Sequence, residues 1–559
     1  MGTIADKLTR IITTKEDIRR ALISKGYDVP TSIPFKEYAK MISDLPCRVD
    51  SFPDIEGIVA RYSALGLTNE QMAANPVWVD KTGNGHDLQM KNFAWGGMSG
   101  VGGIPTDRGK YEFTLDDYYM MAVSSGTQHA QFTFKVTGLV DGNTLSLADT
   151  SSPSNVYGKW TQDGIYTVDI DVINTDRSLY FYNGVSATRG EFTIEILPLY
   201  PGALVFDGVD DYGTCDNFPI LTKEKGYTVV ALRQYLFNAT DKIRSLVTNA
   251  PSSIVSRSTL TFELINSKGE KINFSFGKGN LVSDFEPNVF SYMTSKSCNG
   301  KTITPGDVTE SNERILVGNF SENGEYGSNV AIWELVFLDH DATEEELTKI
   351  KDYFVKTYPW LFPDQAWTVV GKTNEDEDRA TIANITGNGN DLVLSNFSFA
   401  EGSGYNEQGE YAGYLVTDGV DDKAVSKQFK FGENFTVILD FKFPVKKISY
   451  CGFDLSSKVR IQNLQGSGVY VVLKGNKTLI PSNVVRAVTS EGKVYDENWN
   501  EYNIVPGNIS SNYTMVNLGF DGSNQFAESA TKLAGIYSSA LSKDDCIKAY
   551  NYLQTLKSK

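Results

Sequence analysis

The sequence predicts a mainly β protein. Two large β-sandwiches are related by an internal repeat, the first is interrupted by a small antiparallel β-sandwich, and a short α-helical segment precedes them. Asp207-Gly208-Val209-Asp210-Asp211 returns as Asp418-Gly419-Val420-Asp421-Asp422, 211 positions later. Thr82-Gly83-Asn84-Gly85-His86-Asp87-Leu88 returns as Thr386-Gly387-Asn388-Gly389-Asn390-Asp391-Leu392, 304 positions later, with Asn92-Phe93 and Asn396-Phe397 following each. The offsets differ by 93 residues, all between Phe93 and Asp207, so the first copy carries an insertion the size of a small domain. An internal repeat outranks any local signal. Period-two alternation supplies the strands.

Bulk properties narrow the class. A chain of 559 residues exceeds one core and implies several units. Its 41% hydrophobic content is that of globular domains. The net charge of −17 argues against a nucleic-acid partner, which needs clustered Lys and Arg, and against an anionic membrane surface. No run of about 20 apolar residues is present, so no membrane insertion is expected. The N-terminus shows no apolar signal-peptide core. Five cysteines, widely spaced and without a Cys-x-x-Cys, read as reduced thiols made in a cytosol. Three histidines leave little room for a His-rich metal site.

Residues 1–47 read as helical. Ile4, Leu8, Ile11 and Ile12 share a face, Ile18 and Leu22 continue in a second run that Gly26 stops, and Pro34 opens a third with Phe35, Tyr38 and Ile42. So short a segment cannot bury these side chains alone, which predicts docking and self-association. Residues 48–57 read as a linker. The first sandwich is expected over 58–107 and 200–365, the insertion over 108–199, and the second sandwich over 366–559. Trp95 to Gly103 reads as a flexible crossing into the insertion. There Phe132, Phe134 and Val136 alternate with polar residues, as do Tyr166, Val168 and Ile170, and Phe192, Ile194 and Ile196. Asp141-Gly142-Asn143 and Asp163-Gly164 read as hairpin turns. In copy two, Phe435, Val437, Leu439, Phe441 and Phe443 alternate as a strand with one face inward. Each copy closes with a hydroxyl-x-x-acid capping box, Thr343 to Glu346 and Ser542 to Asp545, opening an amphipathic helix.

The chemistry-bearing residues are few. Asp207, Asp210 and Asp211, with Asp418, Asp421 and Asp422, offer oxygen ligands suited to calcium. Carboxylates in turns also accept backbone N–H groups, and that structural reading is preferred. Aromatics make up 12% of the chain, and rings serve as platforms for sugars and peptides. Trp95 and Trp160, in Gly-rich or turn-like surroundings, are the candidate ligand platforms, while Trp78 and Trp333 read as core. No Ser-His-Asp, zinc or phosphate-loop constellation is visible, so no enzyme activity is expected.

Two resemblances add to this reading. Ile4-Ala5-Asp6-Lys7-Leu8, Thr14-Lys15-Glu16-Asp17-Ile18, Lys25-Gly26 and Pro34-Phe35-Lys36-Glu37-Tyr38-Ala39-Lys40-Met41-Ile42 resemble a leader that precedes tail, baseplate or fibre bodies in many phage and prophage virion proteins. That implies a virion-docking segment. The Asp-Gly-Val-Asp-Asp strand, the Thr-Gly-Asn-Gly turn before it and the closing capped helix resemble the laminin-G-like, concanavalin A-like jelly-roll family. That resemblance implies two concanavalin A-like jelly-roll sandwiches that bind glycans or protein partners, sometimes with calcium. Copy two departs from copy one in Lys423 for Tyr212, and Gly535-Ile536-Tyr537 is read as standing for Ala331-Ile332-Trp333. Some proteins of this fold are glycoside hydrolases, which need two carboxylates flanking the bond. The Glu-x-Asp-x-Glu strand of those enzymes is absent here.

The expectation is a non-enzymatic structural and adhesive virion protein, a head or tail fibre or a decoration protein. It would be made in a bacterial cytoplasm and displayed on the virion surface, as a homo-oligomer docked to other virion proteins and facing host-surface glycans. The alternatives are a cell-surface glycan-binding protein without a virion role, and a glycoside hydrolase on the same fold. No cofactor is expected unless the acidic turns take calcium.

Overall fold

The structure is a computed structural model. It describes Lys15 and residues 52–559, apart from 141, 150–154, 174, 185–187, 223, 237–243, 250–259, 266–270, 276–277, 283–288, 303–310, 312, 320–326, 408–410, 444–448, 457, 464–468, 483, 509–512, 521–525 and 557–559. The chain divides into units 1–54 and 55–559. The expected docking residues Ile4, Leu8, Ile11, Ile12, Ile18, Leu22, Phe35, Tyr38 and Ile42 lie outside the described residues. Ile55 is buried, and the Asp339 N–H donates to the Gly57 carbonyl at 3.0 Å. The end of the expected linker is therefore built into the first sandwich.

Unit 55–559 holds three β bodies. In the first, two eight-stranded sheets face each other. One has Thr228–Tyr235, Asn329–Leu338, Leu204–Asp207 and Gly100–Val101 side by side, with Ile58–Ser63 also on Asn329–Leu338. The other ends in Tyr212–Cys215, Leu88–Lys91 and Val77–Trp78. The last body repeats this plan. Thr436–Lys442, Glu528–Tyr537, Tyr414–Asp418 and Gly404–Asn406 adjoin, Gln365–Thr368 pairs with Glu528–Tyr537, and the facing sheet ends in Lys423–Val425, Leu392–Ser395 and Thr381–Ile382. These pairings are antiparallel.

Pairing registers fix the equivalences that composition could not. Asp207 pairs with Asn329 and Asp418 with Glu528, while Thr228 pairs with Leu338 and Thr436 with Tyr537. Asn329–Leu338 therefore matches Glu528–Tyr537 position by position. The counterpart of Trp333 is Lys532, not Tyr537, and the expected match of Ala331-Ile332-Trp333 to Gly535-Ile536-Tyr537 is corrected. Both residues lie at a β-bulge, between Leu232/Arg233 and between Asp440/Phe441 on the partner strands. A bulge re-aims a side chain. The Trp333 indole turns to the Pro201 carbonyl at 2.9 Å, and Lys532 turns to Asp169 of the insertion.

The insertion is a sandwich of two four-stranded sheets, one with Gly164–Asp171, His129–Thr137, Phe192–Leu197 and Lys110–Phe113, the other with Tyr119–Val123, Leu179–Asn183, Leu145–Ala148 and Val156–Trp160. Phe132, Phe134, Phe181 and Ile194 fill it. Neither expected hairpin forms. His129–Thr137 and the next strand, Leu145–Ala148, lie in different sheets, and Asp163-Gly164 leads back from the second sheet to the first. The Asp163 carboxylate pins the two crossings together, accepting the N–H groups of Gly138 at 3.0 Å and Leu139 at 2.6 Å. The crossing at 95–103 is built structure as well. Gly100–Val101 pairs with Leu204–Val205, and the Gly103 and Gly102 carbonyls accept the N–H groups of Leu199 at 3.0 Å and Tyr200 at 2.8 Å. The two ends of the insertion are thus zipped together.

Each sandwich is closed by a helix on the outer face of its sheet. Glu344–Thr357 has the full capping box and buries Leu347, Ile350 and Phe354. Lys543–Gln554 has half of it. The Ser542 hydroxyl accepts the Asp545 N–H at 3.1 Å, but the Asp545 carboxylate, one methylene shorter than Glu, bonds the Ser542 hydroxyl rather than its N–H. This second helix buries Tyr550, Asn551, Tyr552, Leu553 and Gln554 on nearly all sides, where one apolar face was expected. The strand beneath it is also covered twice. Phe435, Val437, Leu439, Phe441 and Phe443 point into the sandwich, and outward-facing Ile438 and Asp440 are buried too.

Thr343→Ala should cost about 1 kcal/mol through the lost cap, and Phe354→Ala about 3–5 kcal/mol through the cavity it leaves. Denaturant unfolding of the two variants measures both, and an equal loss in the two would contradict this account of the helix.

Candidate functional site

The repeated acidic turns close on their own donors. Asp207 accepts the Val209 N–H at 2.7 Å, and Asp211 accepts the Asp207 N–H at 2.9 Å and the Ser99 hydroxyl at 3.0 Å. Asp418 and Asp422 repeat the two backbone bonds at 2.8 and 2.9 Å. Asn92 and Asn396, both at positive φ, donate to the Asp210 and Asp421 carbonyls. In each cluster the carboxylate oxygens lie within 4.8 Å of one another. Burial pushes the Asp211 carboxyl up to about 7, against the pull of the Asp207 N–H. A cation here would have to displace donors that already hold the turn. Only the Oδ1 of Asp422 is buried without a hydrogen-bond partner in either cluster.

The Thr-Gly-Asn-Gly turns are equally self-contained. Asp80 accepts the Thr82 N–H at 3.0 Å, and Asn384 accepts that of Thr386 at 3.0 Å. Trp95 belongs to this scaffold. It lies at φ 51°, stacks on Phe93 at 4.6 Å and packs on the first core. Its counterpart is Phe399, at φ 52° beside Phe397. Trp78 and Trp333 are fully buried. Cys215, Cys298, Cys451 and Cys546 are buried thiols.

Trp160 has a different setting. With Tyr157 it forms one wall of a cleft of about 220 Å³ between the insertion and the second sandwich. The opposite wall presents Tyr414, Arg486 and Tyr550. These three are arranged by Asp440, which accepts the Tyr414 hydroxyl at 2.9 Å, the Tyr550 hydroxyl at 3.1 Å, the Gln554 amide at 2.9 Å and the Arg486 guanidinium. The guanidinium also lies over the Tyr550 ring at 4.7 Å, and its Nε is buried with no protein partner. Burial alone would raise the Asp440 carboxyl, but Arg486 and Lys532 outweigh it and hold it below the ordinary range. Trp160 is fixed from behind by Phe134 at 4.9 Å and Tyr166 at 5.6 Å.

An ion-pair junction joins the insertion to the second sandwich at the cleft. Asp169 takes the Lys532 ammonium across the boundary and His129 Nε2 at 3.0 Å within the insertion, while His129 Nδ1 meets Asp171 at 2.8 Å. Burial works against the charge on Asp169, yet His129 and Lys532 bring it down to about 2. The bond to Asp169 holds His129 above the ordinary imidazole range despite its partial burial. Beside this junction Thr133 donates to Asn551 at 2.9 Å and Gln131 to Gln554 at 2.9 Å. Gln234 of the first sandwich reaches Thr555 at 2.9 Å, so the end of the second closing helix touches all three bodies.

Of the residues singled out by sequence, Trp160 lies at this cleft, and Trp95 and the six aspartates lie in the turns of the sandwiches. Asp440, Arg486, Tyr414 and Tyr550 escaped notice. The available signal was an aspartate at an outward position beside Ile438, within the strand Thr436–Lys442.

No protein-family profile matches the chain, and no curated protein matches it. Among solved structures it is similar to the Trypanosoma rangeli sialidase in complex with sialic acid, at 11% identity over 35% of this chain and 44% of that one, with a TM-score of 0.22. It is also similar to the botulinum neurotoxin serotype D binding domain, at 11% identity over 62% of this chain and 89% of that one, with a TM-score of 0.24. The chain thus spans less than half of the sialidase. At these scores neither likeness bears on ligand or reaction. No helix among the described residues is long and apolar enough to cross a membrane.

The raised His129 value fixes a sign. A group whose folded value is raised stabilises the folded state fully below its unfolded value, near 6.5, and that contribution is lost as pH rises through the folded value. The pairs of His129 with Asp169 and Asp171, beside the Lys532 contact, should therefore weaken over the pH interval that runs upward from about 6.5. Amide hydrogen exchange at 129–137 and 543–554 should speed up more over this interval than intrinsic chemistry requires, and His129→Ala should abolish that excess. An excess unchanged in the variant would assign it to another group.

Proposed function

We propose that the chain is a non-enzymatic structural and adhesive protein of a bacteriophage virion, a head or tail fibre or a decoration protein. The N-terminal segment docks it to other virion proteins and to copies of itself, and the β-sandwiches face host-surface glycans. The observation that carries this reading is a single display body, in which one helix end ties both sandwiches and the insertion together around an aromatic and polar cleft. The pattern over residues 3–45 supports the docking half. A binding surface must hold its residues on rigid elements, and Asp440 and the closing helix provide that. Many presented copies turn weak single sites into firm attachment.

Immunogold electron microscopy with antibody against residues 58–559 tests the placement on particles from the source. Gold on the capsid is expected for a head fibre or decoration protein, and gold on the tail for a receptor-engaging fibre. Unlabelled particles would overturn the virion reading.

A further inference from the structure

The repeat provides an internal control for the cleft. By strand register, the second sandwich has Asp440, Tyr414 and Lys532 where the first has Leu232, Ala203 and Trp333, and Arg486 lies against Asp440 where the first has Phe290 opposite Leu232. In the closing helices, counted from Thr343 and Ser542, Tyr550 and Gln554 stand where the first copy has Lys351 and Val355. The first sandwich forms the same two sheets and the same capped helix with its buried acid elsewhere: Glu334, on the strand next to Leu232, held by Arg61 and Tyr358. The fold therefore fixes neither the position nor the partners of the buried acid, and in the second sandwich the acid and its partners lie at the cleft. What they build is one wall of the cleft.

We propose that this cleft binds one neutral pyranose unit of a glycan. The inference rests on the glycan-attachment reading above and gives it a place and a ligand class. The wall of Trp160 and Tyr157 supplies ring faces and edges for the apolar side of a sugar. The facing wall supplies polar groups already in position. Asp440 is saturated by its four donors and serves to hold Tyr414, Tyr550 and Arg486. Arg486 lines the cleft with a buried Nε that no protein group satisfies, and such a group calls for a partner. Asp169, also lining the cleft, can accept from a hydroxyl.

Charge decides between neutral and acidic sugars. Arg486 is answered by Asp440 and Lys532 by Asp169, so the cleft offers donors and acceptors without a net field. A polyhydroxylated ring, which both donates and accepts, matches this wall better than a carboxylate or phosphate does. The volume of about 220 Å³ lies below the roughly 300–1,000 Å³ of pockets for drug-sized ligands, which suits one ring with the rest of the glycan outside. Because the walls come from different bodies, the site exists only while the insertion is docked.

The test is a glycan array probed with the full chain, followed by competition with the methyl glycosides of glucose, galactose, mannose and N-acetylglucosamine. Hydrogen exchange with and without the best competitor locates the site. Retention of neutral-terminated glycans is expected, with protection at 156–160 and 484–489. Trp160→Ala and Arg486→Lys should each weaken retention by roughly tenfold or more, and Trp95→Ala should not. Thermal unfolding separates these losses from misfolding, and the wild-type protection pattern stands even if a variant fails to fold. Glycan retention with protection elsewhere, or unaffected by both cleft variants, would overturn this site and leave glycan attachment standing. Retention of acidic glycans alone would overturn the ligand class. No retention of any glycan would remove both the site and the glycan-attachment reading, while the virion placement is decided by the gold label.

Discussion

A carboxylate cut off from water must be given donors, and much of the second half of the molecule is arranged around that need. Asp440 is almost wholly buried, on the outer face of a central strand. It draws Arg486 from the adjacent strand, Tyr414 from the strand beyond Glu528–Tyr537, and Tyr550 and Gln554 from the closing helix above. Removing one partner of a buried ion pair leaves the other uncompensated, at about 3–5 kcal/mol. The helix is thus fastened to its sheet by geometry-specific bonds as well as apolar contact, and it presents Asn551 and Gln554 to the insertion in a fixed orientation.

The first sandwich solves the same problem at another position. Glu334 is fully buried beneath its closing helix region and is met by Arg61 at 3.2 Å and the Tyr358 hydroxyl at 2.7 Å. Other devices are kept unchanged. Thr228 and Thr436 each bridge the start of a central strand to the turn before the closing helix, donating to His340 at 2.7 Å and Ser539 at 2.8 Å. Features that close the fold are repeated in place, whereas the buried acids differ in position and partners. In copy two the outer sheet face beneath the closing helix also meets the insertion, through Lys532 and the cleft.

This division explains what the sequence disclosed. The Asp-Gly-Val-Asp-Asp and Thr-Gly-Asn-Gly turns satisfy their own backbone groups, so their chemistry is written in consecutive residues and was legible. The closing helices announced themselves through their caps. The two false hairpins show the limit. Asp-Gly and Gly-Asn signals state that the chain turns, but which sheet receives the next strand was set by the Asp163 carboxylate bonding Gly138 and Leu139 across 25 and 24 residues. The match of Trp333 to Tyr537 failed because a similar tripeptide does not fix register, which is set by pairing with Leu204–Asp207 in one copy and Tyr414–Asp418 in the other. Trp160 was noticed for its setting, but the wall opposite it comes from residues more than 250 positions away. That wall is a property of tertiary docking.

The long separations also order events in the making of the molecule. The bonds that dock the insertion span 363 to 423 positions and end on Lys532, Asn551 and Gln554. The insertion has its own core and zipped ends, so it can form while the second sandwich is incomplete. Contacts of such separation are late, because loop closure must come before they can form. The aromatic wall is therefore built first, and the polar wall is brought to it when the closing helix seats on Asp440. The cleft needs both walls, and a chain that has not completed its second sandwich cannot present it.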